Sequence, residues 1–356
     1  VRSYVSYTVF IFEAILLSLV VVFVLAWISI RFSWWIGLID YPGSASHKTH
    51  TIPTPQGGGI ALILTLIITG LIFNTLQNRD LVITLLASSL VFIFGLWDDY
   101  HDISPLLKLL GQVLAAILLV RGGVGVKILE SPEFFFNLPK AWGFYLDWLI
   151  SILWVVGITN AFNFVDSKDG LAVGLGGVAS AFFMLVTLDS QQYLLSRHSA
   201  LLLGMCAGLY FFNSSPAHIF LGDSGAQTLG FVLASLAILY NPMGAFQTSS
   251  WLVPVLILGV PIFDMILVVF SRLRRGRPVH QAALDHTYHR LVYFGFDPNR
   301  VVLGMHIVAL LLGCLAFVSL AQSSWFANIV FASVLVMGAG LILWMDSHKR
   351  MPGLGR

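Results

Sequence analysis

Charge is scarce in this sequence. Of its 356 residues 10% are charged and 58% apolar, whereas a soluble domain carries about 25% charged residues. That shortage excludes a water-solvated globule and makes lipid the main solvent. The net charge is +2 and no dense basic stripe is present, which excludes nucleic acid as a partner. The two cysteines, Cys206 and Cys314, lie inside apolar runs and read as small buried hydrophobes, with no disulfide framework. No Cys or His spacing resembles a zinc site. The first apolar stretch is too long for a signal-peptide core and lacks an A-x-A-like cleavage site, so a first spanning helix is expected there. There is no repeat of fixed period, and none of the inverted symmetry that many transporters show.

Long apolar runs are abundant. A bilayer core needs roughly 20 apolar residues per helix, which places spans near 8–32, 58–74, 80–97, 106–121, 144–163, 171–188, 199–213, 225–240, 251–271, 301–321 and 327–345. The expectation is an all-α integral membrane protein of about eleven transmembrane helices, a single polytopic domain over 1–356. Thirteen of the 19 lysines and arginines fall on one side of these spans. The positive-inside rule makes that side cytoplasmic, with the N-terminus outside and the C-terminus inside. On the outer side, 122–143 reads as a β-hairpin or an interfacial segment.

Five loops expected on the cytoplasmic side carry ionisable or amide residues hard against helix ends: "DYPGSASHKTHTIPTPQGGG", "DDYHDISPLLK", "NFVDSKDG", "SSPAHIFLGDSG" and "RLRRGRPVHQAALDHTYHRLVYFGFDPNR". Charge at membrane depth costs about 2.5 kcal/mol or more at a helix centre and points to function. Asp98 and Asp99 are adjacent, so on a helix they point about 100° apart. Two close carboxylates raise one pKa unless a cation intervenes, which suits one as proton acceptor and the other as partner to a metal or lysine. An Asp-rich helix cap is the structural alternative. Lys108 is a candidate phosphate anchor. Asn160, Asn163 and Asp166 recur every three residues and share a helical face, with Asp169 following. Their oxygens suit Mg²⁺, which shares substrate phosphates. Asp223, in "GDSG", sits between glycines that permit close backbone approach, or caps a helix. Asp285, His286, His289 and Arg290, with His280 nearby, would make a diphosphate receptor. His47 and Lys48 would form an anion-binding loop, and the arginines of 272–277 read as topology anchors. The residues thus point to a Mg²⁺-dependent, phosphate-handling site at the cytoplasmic face, where the phosphate would belong to a lipid. A transporter would need ionisable residues near mid-bilayer, where only Glu13, Asp264 and His306 fall. A non-enzymatic scaffold leaves the carboxylate loops unexplained.

In order along the chain, "GLWDDYHDISPLLKLLGQ", "NAFNFVDSKDGLA", "FLGDSGAQTLGF", "PIFD" and "DHTYHRL" resemble the polyprenyl-phosphate N-acetylhexosamine-1-phosphate transferase family (glycosyltransferase family 4). The resemblance covers about Asp40 to Arg300. It implies a plasma (inner) membrane enzyme that moves a sugar 1-phosphate from a UDP-N-acetylhexosamine to undecaprenyl phosphate, releasing UMP. It also implies Mg²⁺, with Mn²⁺ as a substitute, and a homodimer as an option. The sequence is closer to the N-acetylglucosamine-1-phosphate branch, which starts O-antigen, enterobacterial common antigen or teichoic acid linkage synthesis. The alternative, the phospho-N-acetylmuramoyl-pentapeptide branch, usually has ten helices and a histidine triplet absent here. By resemblance Asp98, Asp99 and Asp169 are catalytic, with Asp98 the base for the lipid phosphate. Lys48, Lys108, Asn160, Asp166, His286, His289 and Arg290 would bind substrates, and Asn163 and Asp223 would hold Mg²⁺. Ser167, Lys168, Thr287 and Tyr288 depart from the family pattern, and the change at Thr287 and Tyr288 bears on the sugar more than on the chemistry.

Overall fold

The computed structural model describes residues 2–43, 52–129, 139–241, 252–278 and 284–347. His47, Lys48, His280 and the outer stretch 130–138 lie outside the described residues. Helices cover all eleven expected segments: α1 (Arg2–Ile36), α2 (Gly58–Ile72), α3 (Arg79–His101), α4 (Pro105–Arg121), α5 (Lys140–Val165), α6 (Leu171–Asp189), α7 (Tyr193–Asn213), α8 (Gly222–Leu239), the broken pair α9 (Leu252–Ile257) and α10 (Gly259–Arg274), α12 (Pro298–Leu320) and α13 (Ser324–Ser347). A short helix, α11 (Thr287–Tyr293), lies between α10 and α12. Eight of these helices are long and apolar enough to cross a membrane. The chain is an all-α membrane protein.

Local chemistry marks the helix ends. Asn78 starts α3 by accepting from the backbone N–H groups of Asp80 and Leu81, as an N-cap amide does. Ser104 and Asp297 cap α4 and α12, each followed by proline at the first helical position, where the missing N–H costs nothing. Asp102 ends α3 in the left-handed region, with φ 45°. In α10, Pro261 has no N–H to offer the carbonyl of Ile257, which interrupts the ladder where α9 and α10 separate.

At the centre stands α8, whose spanning window is 78% buried, against 11% for α13 at the periphery. Its small residues let α2, α3 and α5 approach closely. A Cβ on Gly95 of α3 would lie 2.5 Å from Ser224 Cα, so only glycine fits that crossing. Large apolar side chains of α1, α12 and α13 stay exposed, as a lipid-facing surface requires.

One expectation is corrected: the connection after α1 is not only a loop. Residues Ile39–Asp40 (β1) and Thr54–Pro55 (β2) pair antiparallel, and the ribbon docks on the stretch before α8 through Phe220 N–H to Pro55 O, 2.8 Å. No hairpin forms in the described part of 122–143. There Ser151 accepts from Val126 N–H (2.8 Å), and Asp147 accepts from Ile128 and Leu129 N–H. Backbone donors satisfied by α5 side chains have no need of a strand partner.

Candidate active site

The first helix-end pairs meet at one end of the bundle, around a cavity of about 470 Å³. Its wall includes Asp40 and Gln56 beside the ribbon, Asp99 of α3, Asn163, Asp166, Lys168 and Asp169 at the α5–α6 turn, Asn213 of α7 and Asp223 of α8. Residues more than a hundred positions apart are therefore neighbours.

The aspartate pair of α3 splits as its helical angle demands. Asp98 accepts from Ile103 N–H at 2.9 Å and forms an ion pair with Lys108. The same ammonium donates to Asp223 Oδ2 at 2.9 Å. Asp99 turns to α8 and accepts from the N–H groups of Asp223 (2.7 Å) and Ser224 (3.1 Å). It thus caps that helix from a different helix, placing negative charge at the positive end of the dipole. Gly222 makes this approach possible: its φ is +69°, and a Cβ there would lie 2.6 Å from Asp99 Oδ2.

On α5, Asn163 donates to Asp223 Oδ1 at 3.0 Å. Burial pushes the Asp166 carboxyl well above the ordinary aspartate range, and the charges of Asp223, Asp99 and Asp169 push it further. Asp169 accepts from Ala217 N–H at 3.3 Å. Asn160 departs from the expected substrate-facing role. It turns into the bundle, donating to Gln112 Oε1 (2.6 Å) and Val156 O (2.8 Å), and it does not line the cavity.

Among the described residues no group of three or more His, Cys, Asp or Glu is arranged to hold a metal. The donor set nevertheless fits Mg²⁺. Asp99, Asp166, Asp169 and Asp223 contribute hard oxygen atoms to the cavity lining, and burial first, then the charges of the other three, raises the Asp166 carboxyl. Mg²⁺ is held by one or two carboxylates plus substrate phosphates rather than by a closed protein cage.

The histidine segment is hung from α10. Asp264 accepts from Thr287 N–H at 2.6 Å and lies 2.9 Å from His286 Nδ1. The charge deep in α10 is therefore a strut for α11, rather than a step on a transport path. The His286 ring stands edge-on to Phe164, centroids 5.5 Å apart, which brings α11 to the end of α5. His289 follows, 5.9 Å from His286 between ring centroids. Burial, then the charge of His286, holds its pKa down to about 4. Its Nδ1 is buried with no hydrogen-bond partner, a neutral group with an interaction still to make.

Arg290 departs from its expected role in diphosphate recognition. It is fully buried, donating to Asp285 O (2.7 Å), Ser271 Oγ (2.7 Å) and Met345 O (3.2 Å). A guanidinium enclosed in this way serves the scaffold. The arginines expected only as anchors also have specific partners. Arg272 forks onto Asp285 at 2.7 and 2.9 Å. Burial would raise the Asp285 carboxyl, but Arg272 holds it below its ordinary value. Arg274 and Arg275 reach Asp346, at the end of α13, at 2.9 and 2.7 Å.

Sequence reading missed several polar residues here. Asn213 accepts from Gly170 N–H (3.1 Å) and donates to Ile219 O (2.9 Å), tying the α6 start to the loop before α8. Gln112 and Gln227 are buried between helices. The available signal was an amide inside an apolar run, one turn from a site residue.

Comparison with known proteins agrees with this geometry. Residues 81–241 match the family model described as glycosyl transferase family 4. The chain is 28% identical over 337 residues to a probable undecaprenyl-phosphate N-acetylglucosaminyl 1-phosphate transferase of Bacillus subtilis, covering 92% of each protein. It is 31% identical to the decaprenyl-phosphate N-acetylglucosaminephosphotransferase of Mycobacterium tuberculosis, over 85% of this chain and 80% of that protein. It is also 30% identical to a phospho-N-acetylmuramoyl-pentapeptide-transferase of Rubrobacter xylanophilus, over 78% of this chain and 87% of the relative.

Proposed function

Because the chain belongs to glycosyl transferase family 4, we propose that it transfers N-acetylglucosamine 1-phosphate from UDP-N-acetylglucosamine to undecaprenyl phosphate, releasing UMP and starting a cell-envelope glycan. It works as a multi-pass protein of the plasma membrane. Its eleven spans put the N-terminus outside and the cavity at the cytoplasmic face, where the nucleotide sugar is found.

The observation that carries this reading is the sharing of Lys108 by Asp98 and Asp223. The lysine opens α4 beside exposed Leu106 and Leu109, so a lipid phosphate arriving along that surface meets an ammonium and a carboxylate together. Lys108 anchors the phosphate. Asp98 takes its remaining proton and keeps it a dianion. An oxygen of that dianion attacks the sugar-bearing phosphorus of the UDP-sugar, and the bond to the bridging oxygen breaks as UMP leaves. Chemistry of this kind needs positioning and charge neutralisation more than a covalent intermediate. Asp223 and Asn163 would hold Mg²⁺, which neutralises the diphosphate and the charge developing on the leaving group. Asp169 and Asp166 line the nucleotide side, and His286 and His289 face the sugar and diphosphate.

Purified protein supplied with UDP-N-acetylglucosamine, undecaprenyl phosphate and Mg²⁺ should release UMP in step with lipid-linked sugar phosphate. UMP release that ignores the lipid, or preferential use of the UDP-N-acetylmuramoyl-pentapeptide, would overturn the assignment. A phospho-sugar label trapped on an aspartate without lipid would replace direct attack by a two-step route.

A further inference from the structure

Beneath the site lies a second polar layer. One turn into the bundle from Lys108 on α4 is Gln112, one turn from Asp223 on α8 is Gln227, and one turn from Asn163 on α5 is Asn160. These three amides join each other. Gln227 donates to Asp223 Oδ2 at 3.0 Å. Gln112 donates to Gln227 Oε1 at 2.9 Å. Asn160 donates to Gln112 Oε1 at 2.6 Å and to Val156 O at 2.8 Å, and its own Oδ1 accepts from Gln112 at 3.4 Å.

The direction of this chain is forced from one end. An ionised carboxylate only accepts hydrogen bonds, so Gln227 must turn its NH₂ to Asp223 and its carbonyl away. That carbonyl then needs a donor, which obliges Gln112 to turn its NH₂ toward Gln227, and Asn160 to turn its NH₂ toward Gln112. Gln112 and Gln227 thus both turn their NH₂ groups along the chain toward Asp223, while Asn160 and Gln112 exchange hydrogen bonds in both directions. An unpaired amide in a membrane interior costs several kcal/mol, so no member can flip alone. Meanwhile Lys108, Gln227 and Asn163 grip the Asp223 carboxylate from α4, α8 and α5.

We propose that Gln112 and Gln227 are positioning residues: a one-way amide relay that fixes the rotamer of Asp223, with Gln112 acting only through Gln227. This deepens the proposed function, because it rests on Asp223 as the carboxylate toward Mg²⁺. It also reassigns Asn160 as the inner terminus of the relay.

The test is a double-substitution cycle on the full-length protein, with Gln112→Met, Gln227→Met and both together. Mn²⁺ binding is read by electron paramagnetic resonance with the metal alone, kcat by UMP release, and folding by thermal unfolding. Partners that orient a metal ligand are typically worth about 10- to 100-fold in affinity or activity. Gln227→Met should weaken Mn²⁺ binding and lower kcat by about that much, Gln112→Met by somewhat less. The double variant should be no worse than Gln227→Met alone, because residues acting in series do not add. It also removes both partners of the Gln112–Gln227 hydrogen bond together, so neither is left facing an empty position, and thermal unfolding checks that each variant is folded. Losses that multiply in the double variant would overturn the relay. So would a Gln112→Met protein that binds Mn²⁺ and turns over like the parent. If the parent itself binds no Mn²⁺ and keeps its rate in a chelator, the metal reading of Asp223 fails, and the kcat cycle still decides the relay.

Discussion

Two clusters of charged side chains are built from this chain, and they differ in how completely their carboxylates are paired with cations. In the clasp formed by α10, α11 and α13, Arg272 is forked onto Asp285, and Arg274 and Arg275 reach Asp346, with Arg290 enclosed beside them. At the cavity, Asp99, Asp166, Asp169 and Asp223 line the wall, Lys108 is bonded to Asp223 and to Asp98, and burial together with the neighbouring carboxylates holds the Asp166 carboxyl well above its usual range. In the clasp each carboxylate is held by arginine and the enclosed Arg290 is satisfied by carbonyl and hydroxyl acceptors, so the cluster acts as scaffold. At the cavity one bonded lysine meets several carboxylates, which is what supports the proposed site for Mg²⁺ and phosphate. Charge count alone would not separate the two, since each is dense in ionisable groups.

Five substitutions test this contrast. The largest effect is expected at the cavity. Asp98→Asn should lower kcat by about 10²- to 10⁴-fold while UDP-sugar affinity stays close to the parent, since a general base contributes on that scale in the transition state. Asp223→Asn should instead regain part of its rate in excess Mg²⁺. Identical metal dependence in the two variants would erase the distinction between base and metal carboxylate. In the clasp, Asp346→Asn takes the carboxylate away from buried Arg290 and half-buried Arg275 and should destabilise the protein by about 3–5 kcal/mol. Its UMP release per folded molecule should hardly change; a large loss of kcat at full folding would move the clasp into the catalytic machinery.

A smaller effect is expected between the clusters. His289→Ala should raise the KM for the UDP-sugar by about 10-fold, the scale of one lost hydrogen bond to a charged ligand, and leave the KM for polyprenyl phosphate alone. Equal changes in both would remove His289 from the sugar and diphosphate side. The smallest effect concerns Asp166. Its raised pKa means that the parent is neutral there at low pH, so Asp166→Asn should then resemble it. As pH rises through the raised value the parent ionises and the variant cannot, so the ratio of variant to parent kcat/KM should fall. A ratio that stays flat as pH is raised from the acidic to the alkaline limit of the parent's stability would show that the charged form of Asp166 does no work.

Much of the site was legible because its residues stand at helix ends, where a hydropathy pattern stops and polar letters become conspicuous. Asp98, Lys108, Asn163, Asp166, Asp169 and Asp223 all interrupt or border apolar runs, and they do gather. Arg290 and Asn160 were misplaced for a common reason. Their neighbours in sequence are site residues, but their side chains leave their helices toward partners such as Ser271 and Gln112, which only the crossing of other helices supplies. Gln112 and Gln227 went unread because a single amide in an apolar run looks like tolerated polarity until its partner is known.

The sequence by itself determined the solvent of this protein and the places where its helices run, since both follow from sums over about 20 consecutive residues and need no knowledge of what lies alongside. Its capping residues set the ends of α3, α4 and α12 by contacts within a few positions. Only the tertiary structure decided which charge meets which. Lys108 and Asp223 are 115 positions apart and Asp99 and Asp223 are 124 apart, joined where α8 packs against α3 with glycine at Gly95 and Gly222. A hydrogen bond or ion pair is directional and acts over a few ångströms, so its partner is settled by how helices cross and not by their order along the chain.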